Sequence, residues 1–137
     1  MKITQNGYDL PSNLYHYDSS KKTLSTKEEY IFIDCTGEED LIFDIGNNCT
    51  IITGANCKFK TGHSCRFFTN DNCTFSTSRD CYFTTGNNCN FTTEAYSHIK
   101  AENNSKVETK EFSTVTIGAN SKINFNYSCT INDYFYA

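Results

Sequence analysis

The chain of 137 residues has no tryptophan, a single proline (Pro11) and a single methionine. No apolar run approaches the length of a bilayer-spanning helix, and the opening Met1-Lys2-Ile3-Thr4-Gln5-Asn6-Gly7 forms no apolar signal segment. These absences lead to the expectation of a soluble, unsecreted, cytoplasmic protein with no membrane contact. Basic residues are few and scattered, 12 Lys plus Arg against 16 Asp plus Glu. A groove for nucleic acid concentrates such residues, so no nucleic-acid partner is expected. The eight cysteines include no Cys-x-x-Cys pair. Without that spacing or a secretion signal they read as reduced thiols, neither a zinc site nor a disulfide framework. No Ser/His/Asp set, phosphate loop or carboxylate pair can be nominated, so the chain is read as a non-enzyme with no cofactor and no metal.

What is present is periodicity. Cysteine recurs at every eighth position, as Cys49, Cys57, Cys65, Cys73, Cys81 and Cys89. An apolar residue follows two places later, as Ile51, Phe59, Phe67, Phe75, Phe83 and Phe91. The register outlasts the cysteines, through Ser97/Ile99, Ser105/Val107, Ser113/Val115, Ser121/Ile123 and Cys129/Ile131. A short fixed period is the mark of a solenoid. In the unit Cys-x-Phe-x-Thr-Gly-x-Asn, the first, third and fifth positions point to one side of a strand and the intervening ones to the other. The inward set is therefore Cys, Phe or its aliphatic substitute, and Thr. Gly-x-Asn reads as the corner, both residues being tolerant of left-handed backbone.

Eight residues are one strand and one corner, so a coil holds two or three units. Every second corner closes on asparagine: Asn56, Asn72, Asn88, Asn104 and Asn120. The alternate corners close on Asn48, Ser64, Asp80, Tyr96, Phe112 and Ser128 and share no consensus. The chain is thus predicted to be all-β, a two-sheet β-solenoid (β-helix) with about 16 residues per coil and roughly six coils. The uniform asparagines are expected to stack as a hydrogen-bonded ladder. Residues 1–40 are read as an N-terminal cap and first strand, 41–131 as the solenoid, and 132–137 as an aromatic tail that caps the far end or drives self-association.

The two outer faces differ. One carries Lys58, Lys60, Thr74, Ser76, Asn90, Thr92, Lys106, Glu108, Lys122 and Asn124, a plain solvated surface. The other carries Ile52, Arg66, Phe68, Tyr82 and His98, with His63, Arg79 and Tyr96 along the variable corner beside it. Aromatic residues clustered with arginine are common interface anchors, so these eight are the candidate partner-binding residues. Tyr96 and Phe112 have a blander reading, as fillers of core volume where Cys gives way to Ser. The cysteine ladder itself is read as packing, each thiol a small apolar filler beside a phenylalanine.

The strings Asn56-Cys57-Lys58-Phe59-Lys60-Thr61-Gly62 and Asn88-Cys89-Asn90-Phe91-Thr92-Thr93 resemble the octapeptide-repeat proteins of bacteriophages and large DNA viruses. A more distant likeness is to pentapeptide-repeat proteins, from which this chain departs in period. The octapeptide resemblance implies a viral accessory or virion protein, placed in the host cytoplasm or on the particle. The function expected is a non-enzymatic protein-interaction module that binds or inhibits a host protein. The alternatives are a structural fibre component assembling through its solenoid ends, and an ice- or surface-binding protein.

Overall fold

Few residues here favour helix, and alternation by two dominates, so the chain is almost wholly extended. The structure, a computed structural model, describes residues 1–133. Tyr134 to Ala137, the aromatic part of the predicted tail, lie outside the described residues. The strands are β1 (Lys2–Gln5), β2 (Tyr8–Asp9), β3 (His16–Asp18), β4 (Thr23–Thr26), β5 (Ile31–Cys35), β6 (Ile42–Ile45), β7 (Thr50–Thr53), β8 (Lys58–Lys60) and β9 (Arg66–Phe68). They continue as β10 (Thr74–Ser76), β11 (Tyr82–Thr84), β12 (Asn90–Thr92), β13 (His98–Lys100), β14 (Lys106–Glu108), β15 (Thr114–Ile117), β16 (Lys122–Asn124) and β17 (Thr130–Asp133). A single short 3-10 turn spans Ser12–Leu14.

From β4 onward odd- and even-numbered strands separate into two sheets, with β1 and β2 on the odd-numbered one and β3 on the even-numbered one. One runs β17-β15-β13-β11-β9-β7-β5-β1-β2 and the other β16-β14-β12-β10-β8-β6-β4-β3. From β4 and β5 onward neighbours within a sheet are parallel, and from Ile42 onward each residue lies opposite the one 16 places on, as Tyr82 does with His98. The result is a two-sheet β-solenoid of about 7 turns. The turn beyond the predicted six comes from β4 and β5. There Thr23 lies opposite Ile42 and Phe32 opposite Thr50, a longer coil whose spacing hides it from an eight-residue reading.

The core is two columns of side chains facing each other between the sheets. Phe43, Phe59, Phe75 and Phe91 stack face to face at centroid distances of 4.8–4.9 Å, and Phe67 stacks on Phe83 at 4.9 Å. Between the columns the rings meet edge to face, Phe59 on Phe67 at 5.3 Å and Phe75 on Phe83 at 5.0 Å. Both geometries suit the ring quadrupole, and such pairs stabilise by about 0.5–1.5 kcal/mol beyond simple burial. Toward the C-terminus the columns continue as Ile99, Val107 and Val115, all buried. At the N-terminus β1 runs antiparallel to β5, and β3 antiparallel to β4, so the repeat is stopped there by reversed strands. Ile3 and Leu10 are buried beneath that cap.

Candidate functional site

Any working surface of this rod is set by its corners. The residue before each Cys or Ser adopts left-handed backbone, with φ between 56 and 64° from Asn48 through Ser128. Asparagine tolerates that conformation best among residues with a side chain, which explains its recurrence. The side-chain ladder expected of Asn56, Asn72, Asn88, Asn104 and Asn120 is corrected: among the described residues no hydrogen bond joins one of these side chains to the next. Their backbone amides do the work, Asn56 N–H donating to the Asp71 carbonyl at 2.9 Å and Asn72 N–H to the Asn87 carbonyl at 2.9 Å.

A side-chain ladder does exist one position earlier on that corner. Asp71, Asn87 and Asn103 each accept, through Oδ1, the amide of the equivalent residue one coil on, Asn87, Asn103 and Ala119; on the variable corner Asn47 accepts the His63 amide in the same way. The repeat glycines serve this contact. Gly62, Gly86 and Gly118 do not adopt positive φ; a Cβ at these three would run into the Oδ1 of Asn47, Asp71 and Asn103. Their left-handed role belongs to the asparagine position instead.

The thiols sit directly beneath the corners. Cys65 Sγ donates to the Gly46 carbonyl at 3.4 Å, Cys81 to Gly62 at 3.5 Å and Cys89 to Asn70 at 3.5 Å. They are packing groups, as read, and also weak hydrogen-bond donors that close off a corner carbonyl. Burial is the largest influence on Cys35, followed by the charge of Glu38; together they push its thiol up to about 12. Cys49 and Cys81 are raised by sharing a thiol hydrogen bond with Cys65, and then by burial. Among the described residues no group of His, Cys, Asp and Glu converges as a metal site.

Two cation–aromatic stacks stand on the outside. On the odd-numbered sheet the Arg66 guanidinium lies 5.2 Å from the Tyr82 ring centroid, and Tyr82 stacks on His98 at 4.4 Å and 8°. This column exists because the three residues occupy one register position on β9, β11 and β13. The adjacent column places Ile52 opposite Phe68 and Phe68 opposite Thr84, then Lys100. An open groove of about 260 Å³ lies between Phe68, Tyr82, His98 and Lys100. Along the neighbouring edge Arg79 lies 5.5 Å from the Tyr96 ring, Tyr96 stacks on Phe112 at 5.2 Å, and Arg79 Nε pairs with Asp80 at 2.7 Å.

Seven of the eight sequence-nominated residues therefore fall into two contiguous clusters, Ile52/Arg66/Phe68/Tyr82/His98 on the face and Arg79/Tyr96 on the edge. His63 stands one coil earlier on that edge, its ring bonded to Ser64 Oγ at 3.1 Å. The reading of Tyr96 and Phe112 as core fillers is overturned: they are 44% and 50% exposed. Each also holds left-handed backbone, φ 60 and 61°. That conformation costs bulky residues about 1–2 kcal/mol. Lys100, on this outer face by its spacing but not nominated, joins the cluster; Phe32, exposed and opposite Thr50, was hidden by the irregular first coil.

The opposite sheet is polar outside, with Ile42 the one large exposed apolar residue on its outward columns from β6 to β16. No helix among the described residues is long and apolar enough to cross a membrane. Compared with known proteins, the chain matches no family model, no curated protein and no solved structure.

Proposed function

We propose that the protein is a non-enzymatic interaction module that binds a protein partner through the outer face of its odd-numbered sheet and the variable edge beside it. The observation that carries this reading is the pair of exposed stacks, Arg66–Tyr82–His98 and Arg79–Tyr96–Phe112, flanked by Phe68 and Ile52. Rigid aromatic rings on a preformed sheet lose little entropy on binding, which suits them as anchors. The left-handed Tyr96 and Phe112 strengthen it, because strain retained on a surface calls for a role outside packing. Local charge indicates the partner's sign. Arg66 and Lys100 lie on the same face of a protein of net charge −4, which favours an acidic partner segment.

The test compares Phe68→Glu with Thr74→Glu, the same charge placed on the opposite, polar face. Captured partners are identified by mass spectrometry and their affinity is then measured. Phe68→Glu is expected to weaken binding by about 30-fold or more, the scale of losing a hot-spot anchor, and Thr74→Glu to leave it unchanged. Equal capture by both variants and the parent sinks the proposal.

A further inference from the structure

The two ends of the solenoid are not alike. At the N-terminal end β1 and β3 reverse direction, and the outermost strand of one sheet is the two-residue β2, so neither sheet presents a regular parallel edge there. At the C-terminal end, among the described residues, β16 is bonded only to β14 and β17 only to β15. The core columns run out to the surface at the same level. Ile131 is 37% exposed and Ile123 half-buried, whereas Val107 and Val115 one coil inward are 3% and 0% exposed. Phe125 and Tyr127 are exposed at the corner joining β16 to β17.

The direction of the free backbone groups is fixed by the last ladder. Lys122 N–H donates to the Ser105 carbonyl and Thr130 N–H to the Ser113 carbonyl, both at 2.9 Å, toward the body of the rod. Backbone groups of successive residues in a parallel strand point to opposite neighbours. Those of Ile123 on β16, and of Ile131 and Asp133 on β17, therefore point out of the end, and Ile123 and Ile131 each have their side chain in a core column.

We propose that this end is a homodimer interface, in which a second copy of the chain packs end to end about a two-fold axis perpendicular to the rod. Such an axis brings each terminal strand antiparallel to its own counterpart. Ile123 then faces Ile123 and Ile131 faces Ile131, as the narrow pairs that exchange both N–H···O bonds. The fit to a second copy is specific in three ways. Both edges must be paired at once, and only a partner with two sheets at the same separation does that. The register centred on the isoleucines sets Lys122 against Asn124 and Thr130 against Asn132, so no like charges are directly opposed. The reversed strands at the other end deny a head-to-tail contact, so the assembly closes at two copies and does not grow into a fibre.

Sedimentation velocity of the full chain reads the outcome. Twice the 15.6 kDa chain mass is expected in the micromolar range. Because residue 131 meets its own counterpart, Ile131→Asp alone and Ile131→Lys alone should each be monomeric through like-charge repulsion. Mixing the two should restore a mixed dimer. A chain ending at residue 133 should still dimerise, since the contact is made by β16 and β17. Circular dichroism and urea unfolding of each variant establish that it is folded, and Tyr8→Asp on β2 should leave the dimer intact. A monomer at about 100 µM overturns the proposal. So does a dimer indifferent to Ile131→Asp, a mixture that fails to reassociate, or a dimer lost when residues 134–137 are removed.

Discussion

The coils running from β8 to β12 and those from β13 to β17 share one register and differ in the side chains that fill it. In the first group the corner is closed from below by cysteine, whose sulfur reaches a carbonyl one coil back, and the core is a herringbone of phenylalanines. In the second group Ser97, Ser105, Ser113 and Ser121 take the corner position, and the core thins to Ile99, Val107 and Val115. Ser121 Oγ still reaches the Glu102 carbonyl at 3.5 Å, as a thiol would. Serine does more besides. Ser113 Oγ accepts the Ser97 amide at 3.2 Å and bonds Thr109 Oγ1 at 2.9 Å, which in turn meets Thr93 Oγ1 at 2.8 Å. The repeat therefore preserves a small donor under a left-handed corner, and sulfur and oxygen are interchangeable in that duty. Rings dominate one group of coils and a buried hydroxyl network the other.

Core truncation breaks the comparison most sharply. Phe75→Ala removes the ring that stacks between Phe59 and Phe91 and meets Phe67 and Phe83 edge on. It is expected to cost about 3–5 kcal/mol in urea unfolding. Val107→Ala, in the thinner core, should cost about 2 kcal/mol. Equal losses would mean that the stacked rings contribute only volume.

A smaller contrast is expected at the corners. Ser113→Ala takes the acceptor from the buried Ser97 amide and leaves the Thr109 hydroxyl with the longer Glu94 carbonyl contact, at about 1–3 kcal/mol. Cys73→Ala removes only long contacts, to the Gly54 carbonyl at 3.7 Å and the Asp71 carbonyl at 3.6 Å, and should cost about 1 kcal/mol. The reverse order would show the thiol to be the stronger closure.

The least effect at neutral pH, and one that carries the contrast between thiol and hydroxyl back to Cys35 on β5, is alkaline sensitivity. Cys35 is held neutral to about 12 against an ordinary value of 9.0, by burial first and by Glu38 second. A raised folded value stabilises fully below the unfolded one and is lost as pH climbs from 9.0 toward about 12. Cys49, Cys73 and Cys81 shift in the same direction, but Cys57, Cys65 and Cys89, which share thiol hydrogen bonds with them, shift the opposite way, so the prediction rests on Cys35; Ser97, Ser105, Ser113 and Ser121 carry no titrating group at the equivalent position. Unfolding midpoints are expected to fall above pH 9.0, and Cys35→Ser to flatten that fall. A profile unchanged by the substitution would place the sensitivity elsewhere.

Much of this architecture is legible without coordinates, because a solenoid repeats one local solution and each repeat reports the same constraint. Ile52 beside Phe68, and Arg66 beside Tyr82 beside His98, follow from a spacing of 16 alone. Phe32 did not follow, since the first coil is longer and spacing gives no register there. The role of Gly86 was also hidden. Its requirement is the missing Cβ facing Asp71 Oδ1, a contact between coils, and its own backbone conformation is ordinary. Tyr96 and Phe112 could be read from sequence as core or surface, and only packing decided for surface.

The eight-residue period determined the class of fold and the inward column of Cys, Phe and Thr, and the asparagine at every second corner determined the two sheets and so which outer face is aromatic. Each of these depends on alternation along a strand and on stacking at constant offset, which are local rules. Tertiary structure decided what lies between coils and at their ends: the amide-to-Oδ1 ladder from Asp71 to Ala119, the exposed left-handed aromatics, and the contrast between a reversed-strand cap at β1 and β3 and the open edges of β16 and β17. Those features join residues 15 or more places apart, or arise where the repeat stops, and a periodic pattern carries no information about its own boundary.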